Sequence, residues 1–207
     1  NASSKDEDDN AFSDQEICDN LITLLTAGSD TTAITLAWAY YFVLQDVTVL
    51  SNLKEQLDSC SDDFNELAKL PLLEAILKET LRIFPIAPLV LRVLKKPIIL
   101  AGKELPANIV VAPSIYGMHH HKDLWEKPEL FNPYRFLNKL SYPNSYLPFG
   151  GGIRRCIGMS IAQFEMKIIL GLVIKHQRLS LVPGYKAVPY RHGVVFAPKK
   201  GVPVINN

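Results

Sequence analysis

Apolar positions run almost unbroken from Ile17 to Leu44, with no proline among them, and Ser13 followed by Glu16 has the spacing of a capping box just ahead. The pattern predicts one long helix. Its stretch from Leu21 to Leu44 is apolar nearly all round, which suits either a membrane span or a buried central helix. Asp30, placed mid-span among Ser29, Thr31 and Thr32, favours the buried helix, because charge within a bilayer is expensive. Leu50 to Leu57 predicts a shorter amphipathic helix. Pro71 stands where a first-turn proline belongs, ahead of a helix running to about Phe84 and ended by Pro85. From Pro88 to Tyr116 the runs Ile98-Ile99-Leu100 and Ile109-Val110-Val111, broken by Gly102 and Pro106, predict a small antiparallel sheet. Residues 119–152 are rich in proline, aromatics and glycine without a period, which reads as an ordered, irregular stretch. Helical patterning resumes near Ile157 and lasts to about Lys175. A tail punctuated by Pro183, Gly184, Pro189, Gly193 and Pro198 predicts hairpins.

Charge adds little to this picture. Lys and Arg number 22 against 21 Asp and Glu, a net charge of +1, which gives no reason to expect nucleic acid as a partner. With 48% hydrophobic residues in 207, the chain has material for one sizeable core, so one domain or part of one is expected. Cys18, Cys60 and Cys156 are too widely spaced for a paired disulfide framework or a CxxC metal site, and a reducing compartment is the simpler reading. Residues 1–12 are acidic and polar, with no basic segment leading into an apolar one, so no targeting signal is read there.

The chemistry concentrates in Phe149-Gly150-Gly151-Gly152-Ile153-Arg154-Arg155-Cys156-Ile157-Gly158, a glycine-rich loop that leads through a cysteine into a helix. A cysteine at a helix N-terminus beside two arginines sits in positive potential, which favours thiolate, the form a metal takes as ligand. A lone cysteine without such context is more often a buried, inert thiol. A phosphate loop is the other glycine-rich option, but neither GK[ST] nor G-x-G-x-x-G between strand and helix is present. The loop resembles the haem-binding pattern F-x-x-G-x-R-x-C-x-G of the cytochrome P450 family at every fixed position, with Ala162 where the extended pattern has alanine.

That resemblance implies a haem b whose iron is held by Cys156, with Phe149, Gly152, Arg154 and Gly158 in the cofactor-binding loop. Arg154 would pair with a haem propionate. Three further segments resemble the family's pattern in the family's order. Ala27-Gly28-Ser29-Asp30-Thr31-Thr32 is similar to the oxygen-activation segment A-G-x-D/E-T, where the helix opens over the iron; this makes Asp30 the proton-relay acid and Thr31 the alcohol. Hydroxyl side chains that compete for backbone bonds bend or widen a helix there. Taken alone, the same residues read equally well as polar groups that cap or pair elsewhere.

Glu79 and Arg82 form E-x-x-R on a face shared with Leu72, Ala75 and Ile76, a face expected to be buried, where an ion pair needs further hydrogen-bond partners. Arg135, in Asn132-Pro133-Tyr134-Arg135-Phe136, resembles the P-E-R-F arginine that completes this pair; Tyr134 replaces the usual glutamate. Arg92 matches the second propionate arginine, and His120 is the choice among His119, His120 and His121 for a further propionate contact. A zinc site on the three histidines is the alternative, disfavoured because consecutive side chains point apart.

The implied fold is α+β in its mainly helical form, the C-terminal portion of the cytochrome P450 fold, carried by residues 13–207 with the N-terminal half absent. The implied activity is that of a monooxygenase inserting one atom of dioxygen into a small hydrophobic substrate, with NAD(P)H electrons delivered by a ferredoxin or flavoprotein reductase. Pocket lining is implied near Ala27, near Ala87 to Leu91 and near Gly193-Val194. The protein would be cytoplasmic if bacterial, with a membrane anchor upstream of residue 1 left open. Two other classes stand against this reading: a truncated chain without activity, at most a weak haem binder, and a membrane-anchored binding module spanning with Leu21 to Leu44.

Overall fold

The computed structural model describes residues 12–138, 143–192 and 195–207. Helix α1, Asp14–Gln45, starts on the capping box: the Ser13 hydroxyl accepts from the Glu16 amide, and the Glu16 carboxylate accepts from the Ser13 amide. Asp46 ends α1 and at once caps α2, Val47–Asp58, its carboxylate accepting from the amides of Thr48 and Val49. The two helix axes meet there at 106°. Among the described residues no single helix is long and apolar enough to cross a membrane.

A short helix α3, Phe64–Leu67, leads to α4, Pro71–Ile83, which has proline in its first turn as expected and buries ten of its side chains. Helix α6, Met159–His176, crosses this group at close range. A Cβ added at Gly171 would lie 3.1 Å from Leu73, 3.4 Å from Leu57 and 3.6 Å from Leu67, so the side chains of three other helices rest almost on its backbone. The core is this convergence: Leu36, Ala39 and Val43 of α1, Val49, Leu53 and Leu57 of α2, the inward face of α4, and Met166, Leu170 and Ile174 of α6.

The β structure is more divided than the single small sheet expected between Pro88 and Tyr116. Strands β1, Arg92–Val93, and β4, Val110–Val111, form one antiparallel pair, and β2, Ile98–Leu100, and β3, Lys103–Leu105, form a second. The inner hairpin turns at Ala101 and Gly102, both at positive φ, and stands as its own ladder. Helix α5, Ile115–His119, follows, then irregular chain containing the 3-10 turn Pro133–Phe136. In the tail, β6, Pro189–His192, and β7, Val195–Pro198, pair antiparallel, and β5, Leu179–Leu181, pairs with β8, Val204–Asn206.

Helix α1 has two environments. Its second half is packed, while Leu21, Ile22, Leu24 and Leu25 in its first half are exposed. The expectation of a helix buried along its length holds only for that second half, against which the other helices and the tail pack. Its Trp38 indole donates to the Phe196 carbonyl at 2.9 Å and stacks on Phe84 at 4.0 Å, and Tyr41 meets Tyr185 edge-on at 6.2 Å.

Candidate functional site

The loop ahead of α6 is held by its own backbone. The Gly150 amide donates to Leu147 O at 2.9 Å, the Arg155 amide to Gly152 O at 3.2 Å, and the Cys156 amide to Phe149 O at 3.0 Å. Gly150 and Gly152 sit at φ +73° and +68°, the left-handed region that a side chain resists, which is why this stretch is written in glycine. Phe149 and Ala162 anchor the loop and the helix start against the core. Cys156 itself is exposed, three positions before the first helical residue, and Arg154 and Arg155 are exposed beside it. Ile153, Ile157 and Ile161 are exposed too, Ile153 completely, so a thiol stands amid apolar side chains without a cover.

This arrangement fits a haem. A Cβ added at Gly158 would sit in ordinary van der Waals contact with the Cys156 sulfur, at 4.0 Å, and with Ile161, at 3.9 Å, so the glycine leaves the space beside the sulfur unfilled. Among the described residues no three His, Cys, Asp or Glu side chains gather as ion ligands. Cys156 is thus a lone soft donor amid apolar surface, which suits a macrocycle that brings its own equatorial nitrogens.

Beneath the loop lies a buried polar network. Glu79 is wholly buried and accepts from Arg82 Nε at 2.8 Å and Nη2 at 3.0 Å, from Arg135 Nε at 3.1 Å and from the Asn132 amide at 2.9 Å. Arg82, equally buried, spends its other donors on the carbonyls of His119 and Pro128, at 2.9 and 2.8 Å, with its guanidinium 5.4 Å from the Trp125 ring centre. Arg135 also donates to Glu126 O at 3.1 Å. Each buried side-chain nitrogen and oxygen of Glu79 and Arg82 has at least one partner, the condition for tolerating charge in a core. Tyr134, the departure from the family's glutamate, accepts from Asn52 Nδ2 at 2.7 Å and ties the turn to α2.

The three histidines separate. His120 is half-buried, stacked on Tyr116 at 4.0 Å, with Nδ1 2.9 Å from Tyr116 O. His119 is fully buried: Nδ1 lies 3.2 Å from Arg82 O, and Nε2 accepts from the Leu147 amide at 3.0 Å. Burial pushes its pKa down to about 4, aided by the charge of Arg82. Sequence reasoning missed His119. The available signal was Ser114 as a cap followed by Ile115 and His119 four apart, hence on one helix face.

Asp30 is exposed and Thr31 half-buried in the middle of α1. The helix passes through Ala27 to Thr32 unbroken, so the expected opening is not seen; the Thr31 hydroxyl instead donates to Ala27 O at 2.8 Å within the intact helical ladder. Helices α1 and α6 are joined through their second halves, where the Tyr40 hydroxyl donates to Ile169 O at 3.1 Å. Arg92 is exposed on β1, its Nη1 donating to Leu91 O at 2.8 Å. Leu89 and Leu91 are exposed, as is Ala27 on α1, while Gly193-Val194 lies outside the described residues.

The family model described as Cytochrome P450 matches residues 1–204. The chain is 32% identical over 209 residues to Cytochrome P450 4X1 of Homo sapiens, covering 97% of this chain and 41% of that protein. It is 34% identical over 203 residues to Taurochenodeoxycholic 6 alpha-hydroxylase of Sus scrofa, covering 95% and 40% respectively. It is 36% identical over 196 residues to Putative cytochrome P450 135B1 of Mycobacterium tuberculosis, covering 95% and 41%. A solved structure titled Crystal structure of cytochrome P450DA heme domain superposes with a TM-score of 0.88 at 27% identity, over 97% of this chain and 47% of that one. The chain therefore spans about two fifths of the length of these curated relatives. With a family match along nearly its whole length and the same α+β, mainly helical fold, the chain belongs to the cytochrome P450 family.

Proposed function

We propose that the protein carrying this chain is a haem-thiolate monooxygenase, in which Cys156 would hold the iron of a haem b. The observation that carries the reading is the exposed sulfur on a hydrogen-bonded loop, with the space beside it left unfilled by Gly158, in a chain of this family. When bound, the haem supplies dioxygen reduction and insertion of one oxygen atom into a C–H bond, with NAD(P)H electrons entering through a ferredoxin or flavoprotein reductase. The name of the pig relative, a hydroxylase, agrees with this reaction class.

The chain's own residues do the rest. Cys156 donates sulfur charge from a loop whose backbone is fixed at Leu147, Phe149 and Gly152. Arg92, Arg154 and His120 would partner the propionates, the two arginines as full charges. On α1, Thr31 holds a proton at Oγ1, donated to the Ala27 carbonyl, and Asp30 stands exposed one residue before it; the pair would serve as the proton relay when haem is bound. The exposed apolar residues Leu89 and Leu91 favour a small hydrophobic substrate.

The test is spectroscopic. The protein extended upstream of residue 1, reduced under carbon monoxide, should show the red-shifted Soret band of thiolate-bound haem, and Cys156→Ala or Cys156→His should abolish it. An unchanged band in the alanine variant would overturn the assignment.

A further inference from the structure

Resting on that reading, we propose that His119 is a positioning residue for the cysteine loop: with its proton on Nδ1, it fastens the segment ending at Cys156 to the buried ion-pair network. Two bonds run between His119 and Arg82 in opposite senses. The Arg82 guanidinium donates to His119 O at 2.9 Å, and the ring Nδ1 lies 3.2 Å from Arg82 O, a carbonyl that can only accept. Nδ1 therefore carries the proton. Nε2 is left with a lone pair, and the Leu147 amide donates to it at 3.0 Å. A histidine with these two partners cannot be the other tautomer, nor the cation, without losing one of them.

Leu147 is where the loop begins. Its carbonyl accepts from Gly150, and Phe149, two residues on, accepts from Cys156. The path from charge pair to sulfur thus passes Glu79, Arg82, the His119 ring, Leu147, Phe149 and Cys156, with one hydrogen bond or a few covalent links at each step. The ring is held in this orientation by stacking, 5.4 Å from Tyr146, and by the edge of Trp125 at 6.2 Å. Of the three consecutive histidines, the buried one faces the loop through Nε2 and not through a charge.

Two substitutions separate the ring's two nitrogens. Asparagine places an amide where Nδ1 was and keeps the bond to Arg82 O; glutamine reaches the Nε2 position and keeps an acceptor for the Leu147 amide. In the upstream-extended, haem-loaded protein, the carbon monoxide band is followed over time during mild warming, with the far-ultraviolet helix signal recorded alongside. Loss of one part-buried hydrogen bond predicts that H119N converts to the blue-shifted band of a haem without thiolate about tenfold faster than the parent, and that H119Q stays within about twofold of it. Equal rates for H119N and the parent, or equally fast conversion of H119Q and H119N, would overturn the proposal. So would loss of helix signal in step with the band, which would make His119 a packing residue with no particular hold on the loop. Absence of the thiolate band in the parent would instead defeat the proposed function.

Discussion

Thr31 shows how much one hydroxyl can carry. Its bond to Ala27 O is internal to the helix and its side chain is only half-buried, so removing the oxygen strands no buried partner and opens no large cavity. Thr31→Ala should keep its haem and its NAD(P)H consumption, yet release more peroxide and less product, because proton delivery and electron entry are separate steps. Coupling of electrons to product measured at the parent's level would remove Thr31 from the relay. At this scale the sequence was most readable where residues act as neighbours in the chain. Phe149 to Gly158 is one contiguous loop, and its glycines announce the positive φ values at Gly150 and Gly152. His119 was not readable in the same way. Its burial is decided by Arg82, thirty-seven positions earlier, and Leu147, twenty-eight later, and the local hint, its spacing of four from Ile115 behind the Ser114 cap, says nothing of either partner.

Helix α4 carries the densest commitment of polar groups to the interior. Glu79 accepts from two arginines and a backbone amide, and its truncation would leave Arg82 and Arg135 facing each other, the former with no exposure at all. Glu79→Ala should lower unfolding stability by about 3–5 kcal/mol, read from denaturant titration, whereas an exposed i,i+3 pair is worth only a few tenths. A loss below about 1 kcal/mol would show that the arginines find other partners. The helices were legible because period and punctuation are local: Pro71 opens α4, Ser13 and Glu16 open α1, and Asp46 both closes α1 and opens α2. The strands were legible only as a region. Which edges pair depends on chain brought back from a distance, and the run from Pro88 to Tyr116 resolves into two separate ladders.

At the scale of the whole molecule, the first half of α1 is an apolar stretch left uncovered among the described residues, with Leu21, Ile22, Leu24 and Leu25 between 52% and 73% exposed. Trp38, Tyr41 and Phe42 in the second half are covered instead: Phe84 stacks on Trp38, Phe131 on Phe42, Tyr185 meets Tyr41 edge-on, and the Phe196 carbonyl accepts from the Trp38 indole. At roughly 25 cal/mol per Å², several exposed leucines forfeit several kcal/mol, against a domain's net stability of about 5–15 kcal/mol. Residues 1–207 expressed alone should therefore purify as an oligomeric or poorly soluble species with less than one haem per chain. A monomer by size exclusion, with one tightly bound haem and a cooperative melt, would show that this face needs no cover. The close crossing at Gly171 has a mechanical side as well. From there to Gly158 the helix is a stiff rod about 20 Å long, gripped at one end by Leu57, Leu67 and Leu73 and seated near the other, which carries the cysteine loop, where Phe149 and Ala162 meet the core. A wedge at the first grip, such as Gly171→Val, would strain the second, so the aim of the sulfur depends on a missing methyl deep in the core as well as on the glycines beside it.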